Sequence, residues 1–371
     1  MKKLVFVLFL FFLSISFANS NLTIYSNNFA VLSLEKKIDL KKGINFIPLD
    51  EVSGSIPVSS FYVLTQKGSV IKEILYPNYA LWIQAPMDME EVLSIFYIIP
   101  NISWICEHLL LLDDNRIINF NSRFIVENNS SENFKNVNLL LLIGEPQILE
   151  SIIPRTLLKA ESKEAFSLEE SIESKGEYKI FPYKEPITIL SKQTKILPWL
   201  NSNNVSGEKI YFYEYQRDIN SVFIEWNFIN SKEKGLGIPL PAGKLRIFLK
   251  DGEKIIFLGE SYIKNIAEGE KFSIIQGKAF DLKGERIVME SKDYIENKYI
   301  VREGKIQVII NNAKDEKIRV EIREYLEGDW QIISSSFPYV KVSKDRVKFI
   351  LEVEPKKDAI LNYYYKTKLS K

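Results

Sequence analysis

The sequence predicts an all-β protein made of consecutive antiparallel β-sandwich domains, the last of them immunoglobulin-like. Three observations lead there. Ile, Val, Phe and Tyr fill the apolar positions, and aromatic residues are 12% of the chain; such side chains suit a pleated, half-buried surface. Short apolar stretches are separated by turn dipeptides such as Lys42-Gly43, Lys67-Gly68, Asp251-Gly252 and Glu268-Gly269. The block from Tyr299 onward packs roughly six or seven strands into about seventy residues, the density of one immunoglobulin-like sandwich.

The elements follow in order. Lys2 and Lys3 precede the apolar run Leu4–Leu13, and small residues follow at Ala18 and Ser20. This pattern predicts a signal peptide over residues 1–18, with cleavage after Ala18 or Ser20. The run is shorter than the ~20 residues that span a bilayer, and no cysteine is available there for a lipid anchor. Later apolar stretches are of strand length, so no transmembrane segment is expected in the mature chain. The expected location is periplasmic or extracellular.

Residues 21–85 read as a small N-terminal β domain, with a hairpin turn at Gln66–Ser69. A short joint follows at 85–91. Residues 92–298 read as a central β-sandwich region. It opens with a four-stranded meander over Ile95–Ile143 and is interrupted by a polar linker near 155–177. Residues 299–371 form the expected C-terminal sandwich.

Composition narrows the function. A formal net charge of +1 argues against nucleic acid as the main partner. A single cysteine excludes an internal disulfide and multi-thiolate zinc, and a single histidine excludes paired-histidine metal motifs. Gly237 to Lys244 fails as a phosphate loop: five residues separate the glycines where four are needed, and Leu245 stands in the Ser/Thr place. Gly235-Leu236-Gly237 lacks the third glycine of a dinucleotide fingerprint. No cofactor, metal or catalytic residue is therefore assigned. Cys106 and His108 are two apart on a strand and share a side, which reads as packing more readily than as a nucleophile–base pair.

The candidate ligand-contact face is aromatic. Tyr211, Tyr213 and Tyr215 alternate along one strand and so point the same way. Such rings offer apolar platforms with a polar rim, as a sugar surface requires; the alternative is that they line a core, and the tryptophans Trp82, Trp199 and Trp226 are expected to pack in the same way.

One string is distinctive: Gly235-Leu236-Gly237-Ile238-Pro239-Leu240-Pro241-Ala242-Gly243-Lys244-Leu245-Arg246. It is followed by Phe257-Leu258-Gly259-Glu260 and by Gly277-Lys278-Ala279-Phe280-Asp281. In order and spacing these resemble an exported bacterial family catalogued as domain of unknown function 4139, the mucoidy-inhibitor-like proteins. Trp104, the stretch Asn128–Leu142 and Gly328-Asp329-Trp330 add to the likeness. The resemblance implies an all-β exported protein and assigns no reaction. It implies structural roles for Trp104, Gly235, Gly237, Pro239, Pro241, Gly243, Gly259, Glu260, Gly277, Phe280, Asp281 and Trp330. The prolines support this, since each holds the preceding residue extended. Two departures stand out. Ile263-Lys264-Asn265-Ile266 replaces an Asp-His-Thr-like stretch of many relatives, and their coiled-coil insertion is represented here only by the short joint at 85–91.

The expected function is a non-enzymatic exported protein that binds or scaffolds another envelope component, either protein or polysaccharide. A carbohydrate-binding module is the first alternative. A carboxylate-based hydrolase is the second, and it needs two acids about 5–10 Å apart in a cleft.

Overall fold

A computed structural model describes residues 20–50, 52, 56–114, 116–144, 146, 173–175, 178–296 and 298–370. The expected signal peptide and nearly all of the polar linker lie outside these residues. The chain is nearly all β, with 71% in strands. Among the described residues there is no α-helix, only short 3-10 turns at Val58–Ser60 and Lys232–Lys234, and no helix is long and apolar enough to cross a membrane. The chain divides into two compact units: residues up to 106 with 123–199, and residues 107–122 with 200–371.

In the first unit the strands run β1 (Ser20–Tyr25), β2 (Phe29–Leu40), β3 (Gly43–Pro48), β4 (Tyr62–Thr65), β5 (Val70–Leu75), β6 (Ala80–Ala85) and β7 (Met89–Pro100). Then come β8 (Ile102–Asp113) and β9 (Arg116–Asn128), inside which the division between units falls. They are followed by β10 (Phe134–Ile143), β11 (Glu173–Lys175), β12 (Tyr178–Pro182), β13 (Ile187–Ile189) and β14 (Gln193–Ser202). The main sheet has the order β11-β12-β10-β1-β2-β7-β4, and β13 also pairs with β10. The expected meander is corrected here: β7 and β10 join this sheet, while β8 and β9 do not. The reason is a long-range pairing, β1 lying parallel to β10 from Asn21↔Asn138 to Tyr25↔Leu142.

The expected joint at 85–91 is largely strand. β7 already pairs with β2 at Leu40↔Met89 and continues to Phe29↔Pro100. The core alternates along these strands and closes on an aromatic cluster, in which Phe124 lies 5.5 Å from Trp104, 6.2 Å from Phe181 and 4.8 Å from Trp199. A separate three-stranded sheet has the order β3-β6-β5.

The second unit contains β15 (Gly207–Tyr213), β16 (Ser221–Ile229), β17 (Gly243–Asp251), β18 (Lys254–Ile263), β19 (Lys271–Glu296) and β20 (Tyr299–Asn312). It ends with β21 (Ile318–Tyr325), β22 (Asp329–Ser335), β23 (Tyr339–Lys341), β24 (Arg346–Val353) and β25 (Lys357–Ser370). Nine of these strands make one sheet in the order β22-β25-β20-β19-β16-β15-β21-β24-β23. Its inward row is apolar: Ile306, Val308 and Ile310 on β20 pack with Val320 and Ile322 on β21 and Phe349 and Leu351 on β24. The expected boundary at 299 falls within this sheet, because β19 and β20 pair continuously across it from Leu282↔Asn312 to Glu296↔Tyr299. Residues 299–371 thus share their core with Tyr213, Val222, Ala279 and Leu282.

Candidate functional site

The tyrosine face does not form a platform, which corrects the sequence expectation. β15 sits between β16 and β21, and the side carrying Tyr211 and Tyr213 faces the core. Tyr213 is fully buried and its hydroxyl donates to the Ile219 carbonyl at 2.7 Å. Burial pushes its pKa up. Tyr211 is half-buried against the same core, with Lys209 Nζ 5.3 Å from its ring centre. Only Tyr215, past the end of the strand, is exposed, and Arg286 lies over it at 5.3 Å.

Most motif residues build structure. Gly237 adopts φ +83, and a Cβ there would lie 2.6 Å from the Lys232 backbone nitrogen. Leu240, between Pro239 and Pro241, exchanges two backbone hydrogen bonds of 2.9 Å with Ile266. The Pro241 carbonyl lies 3.0 Å from His108 Nε2, and the Ser122 hydroxyl lies 2.8 Å from Nδ1. A carbonyl only accepts, so Nε2 carries the proton and Nδ1 accepts from Ser122. Burial lowers the His108 pKa to about 4, so the ring is neutral. Gly235 closes the 3-10 turn, Gly243 opens β17, and Gly259 lies in β18 where the backbone passes close to Gln276. Glu260 pairs with Arg246 at 2.9 Å, and Arg246 also binds Glu107 at 3.1 Å. Trp104 and Trp330 are buried, and Trp330 Nε1 donates to the Lys344 carbonyl at 2.7 Å.

Phe280 behaves differently. β19 pairs with β16 at Phe223↔Lys278 and again at Ser221↔Lys283. Four residues of β19, 279–282, therefore stand opposite one of β16, Val222. A bulge of this kind bends the strand and re-aims its side chains. Gly277 precedes the bend, and Leu282 begins the pairing with β20 at Asn312. Ala279 and Leu282 turn into the core. Phe280 is driven outward and is 94% exposed, with Asp281 exposed beside it. A structural role for the Phe280 side chain is thus corrected, because its ring packs against no core.

Beside that ring lies an open groove of about 610 Å³. Its wall includes Lys278, Lys283, Asn220, Asn311 and Asp358. Asn311 Nδ2 donates to Asp358 Oδ1 at 2.7 Å, across the paired strands β20 and β25. Lys278 Nζ bonds Asp218 Oδ2 at 2.7 Å. Asp218 also accepts from the backbone N–H groups of Asn220 and Ser221, at 3.0 and 2.8 Å. Those bonds, led by the one from Lys278, hold its carboxyl well below the usual range. Hydrogen bonds thus hold three of the polar lining residues, Lys278, Asn311 and Asp358.

No family model and no curated protein matches this chain. The likeness to the exported family therefore rests on the strings quoted above.

The buried carboxylates have other work. Glu91 accepts from the backbone N–H groups of Gln66, Lys67 and Ser69 at 3.0, 2.7 and 3.1 Å and from the Ser69 hydroxyl at 2.7 Å. Burial alone would raise its pKa, but these bonds prevail and hold it down to about 2. Glu225 pairs with Arg323 at 2.5 Å, and that guanidinium lies 4.0 Å from the Phe212 ring centre. Glu324 pairs with Arg286. Among the described residues, no group of three or more His, Cys, Asp or Glu side chains could hold a metal ion.

The sequence reading did not single out Phe46, and Trp82, expected to pack inside, is instead partly exposed beside it. They are 48% and 37% exposed on the outward face of the three-stranded sheet, with ring centres 4.9 Å apart. Trp199 and Trp226 do pack inside.

Proposed function

We propose that this chain is a non-enzymatic exported β protein that binds or scaffolds another component of the cell envelope, in the periplasm or outside the cell. One observation supports this most: a phenylalanine held almost fully in solvent by a sheet bulge, at the rim of a groove of mixed polar and apolar lining. An exposed large aromatic on a paired strand suits a contact hot spot, since little backbone freedom is lost on binding. The structural use of Glu91, Glu225 and Glu324 adds support, because buried carboxylates tied to N–H groups or arginine are held away from acid–base work. The likeness to the mucoidy-inhibitor-like family points the same way.

The test is co-sedimentation of the full chain with the envelope fraction of its own source. The expected result is retention that falls when Phe280→Ala replaces the wild type. Retention of neither protein, or equal retention of both, would overturn the proposal.

A further inference from the structure

We infer that the groove beside Phe280 is a binding site for a neutral saccharide. This inference rests on the binding role proposed above and names its ligand class.

The first argument is shape. A groove of about 610 Å³ lies within the roughly 300–1,000 Å³ usual for ligand sites. It is open to solvent rather than an enclosed cavity. The second is the ring. A pyranose presents one face of C–H groups, and an exposed aromatic face is the side chain that complements it. Phe280 is 94% exposed, has no hydroxyl or N–H to satisfy, and stands at the rim.

The third argument is the polar wall. Asn311 and Asp358 are locked to each other by one hydrogen bond, which spends one amide N–H and one carboxylate oxygen. The Asn311 carbonyl, its second N–H and the other Asp358 oxygen keep hydrogen-bonding capacity in a fixed arrangement. Adjacent hydroxyls of a sugar need such a row of donors and acceptors. The fourth is charge. Lys278, Lys283, Glu285 and Asp358 all line the groove, and Lys278 is already paired with Asp218, so the wall carries no net positive charge. That balance favours an uncharged ligand over a phosphate or a uronate polymer, each of which would call for a net basic wall.

The bulge explains why the site is rigid. Lys278 and Lys283 are each held by pairing to β16, at Phe223 and Ser221, so the four residues between them have little freedom. On the far side of the same strand Gly284 lies against Tyr213, where a Cβ would stand 2.3 Å from the ring.

The experiment is affinity electrophoresis of the full-length protein in native gels. The gels carry laminarin, dextran, galactomannan, alginate or deproteinised envelope polysaccharide from the chain's own source. Wild type, Phe280→Ala and Asn311→Ala are run together, with Phe46→Ala as a control for the aromatic pair of the first unit. Retardation by a neutral polysaccharide is expected. Phe280→Ala should weaken it about tenfold or more, as loss of a central aromatic contact does. Asn311→Ala should weaken it less, and Phe46→Ala should leave it unchanged. Retardation by alginate alone would overturn the neutral ligand. Equal retardation of Phe280→Ala and wild type would overturn the groove. No retardation in any gel would overturn the saccharide class, while the broader binding role is judged separately by sedimentation with whole envelope.

Discussion

Arg286 Nε reaches both carboxylate oxygens of Glu324, at 3.1 and 3.0 Å, and the Glu324 side chain is fully buried. Glu324 ends the inward row of β21 that begins with Ile318, Val320 and Ile322. Burial pushes its pKa up, and Arg286 opposes that push. The Tyr363 hydroxyl is buried beside the pair, and burial together with the Glu324 charge pushes its pKa well up. The pair is therefore a polar inclusion in an apolar core, and each charge depends on the other. Arg286→Met should cost about 3–5 kcal/mol, because it leaves a buried carboxylate without its counter-charge. Arg286→Met with Glu324→Leu should cost clearly less. Urea unfolding of the two variants checks this; equal losses would contradict it.

Glu91 sets an acid limit. Its folded pKa is about 2 against an ordinary 4.5, so the folded state favours the ionised form. The stability it contributes is complete above about pH 4.5 and is lost as pH falls through that value toward 2. The shift corresponds to roughly 3 kcal/mol. Glu91→Gln should remove that component, giving a lower urea midpoint at pH 7 and a flatter profile between pH 5 and 2. Parallel profiles for the two proteins would count against it.

His108 should titrate near pH 4 with the proton on Nε2. The unfolded ring takes its proton first, near 6.5, so stability falls as pH drops from 6.5 toward 4. Nitrogen NMR of the single imidazole reports both tautomer and midpoint. A midpoint near 6.5 would show that the ring is not enclosed by Ser122 and Pro241.

Gly284→Ala should be destabilising although the site lies at the margin of a groove. The added methyl meets the Tyr213 ring at 2.3 Å, and Tyr213 is anchored by its bond to Ile219. Overpacking of this kind costs about 1–3 kcal/mol. Tyr213→Phe keeps the ring, so it should cost only about 1 kcal/mol for the lost hydroxyl bond. Thermal unfolding ranks the two variants, and the reverse order would contradict the packing.

Much of the fold could be read from period-2 alternation. Ile318, Val320 and Ile322 alternate with Arg319 and Glu321 and do face the core, as do Ile306, Val308 and Ile310, although Ile309 breaks the polar alternation there. The Pro239 and Pro241 segment also reads correctly as a connection rather than a strand; its one β pairing among the described residues is the bridge of Leu240 to Ile266. Pairings between distant segments were not legible. Nothing local marks β1 as the parallel partner of β10, so the meander over 95–143 looked continuous.

The same limit affected the site. Alternation places Tyr211 and Tyr213 on one side but does not say whether that side is wet, which depends on β16 and β21 flanking β15. From the sequence, Phe280 carries only the structural role that the resemblance implies. Its exposure depends on Lys278 and Lys283 being fixed to residues only two apart on β16, a register set some sixty residues away in the chain. The nearest sequence signal is the break in alternation at Ala279-Phe280-Asp281-Leu282.

The most direct test of the central claim is quantitative binding of wild type and Phe280→Ala to isolated envelope, with unfolding curves measured on both. Because Phe280 touches no core, the two stabilities should agree within about 0.5 kcal/mol. Binding should weaken about tenfold or more in the variant. Matched stability with matched binding would contradict the account and move the contact surface away from the bulge in β19.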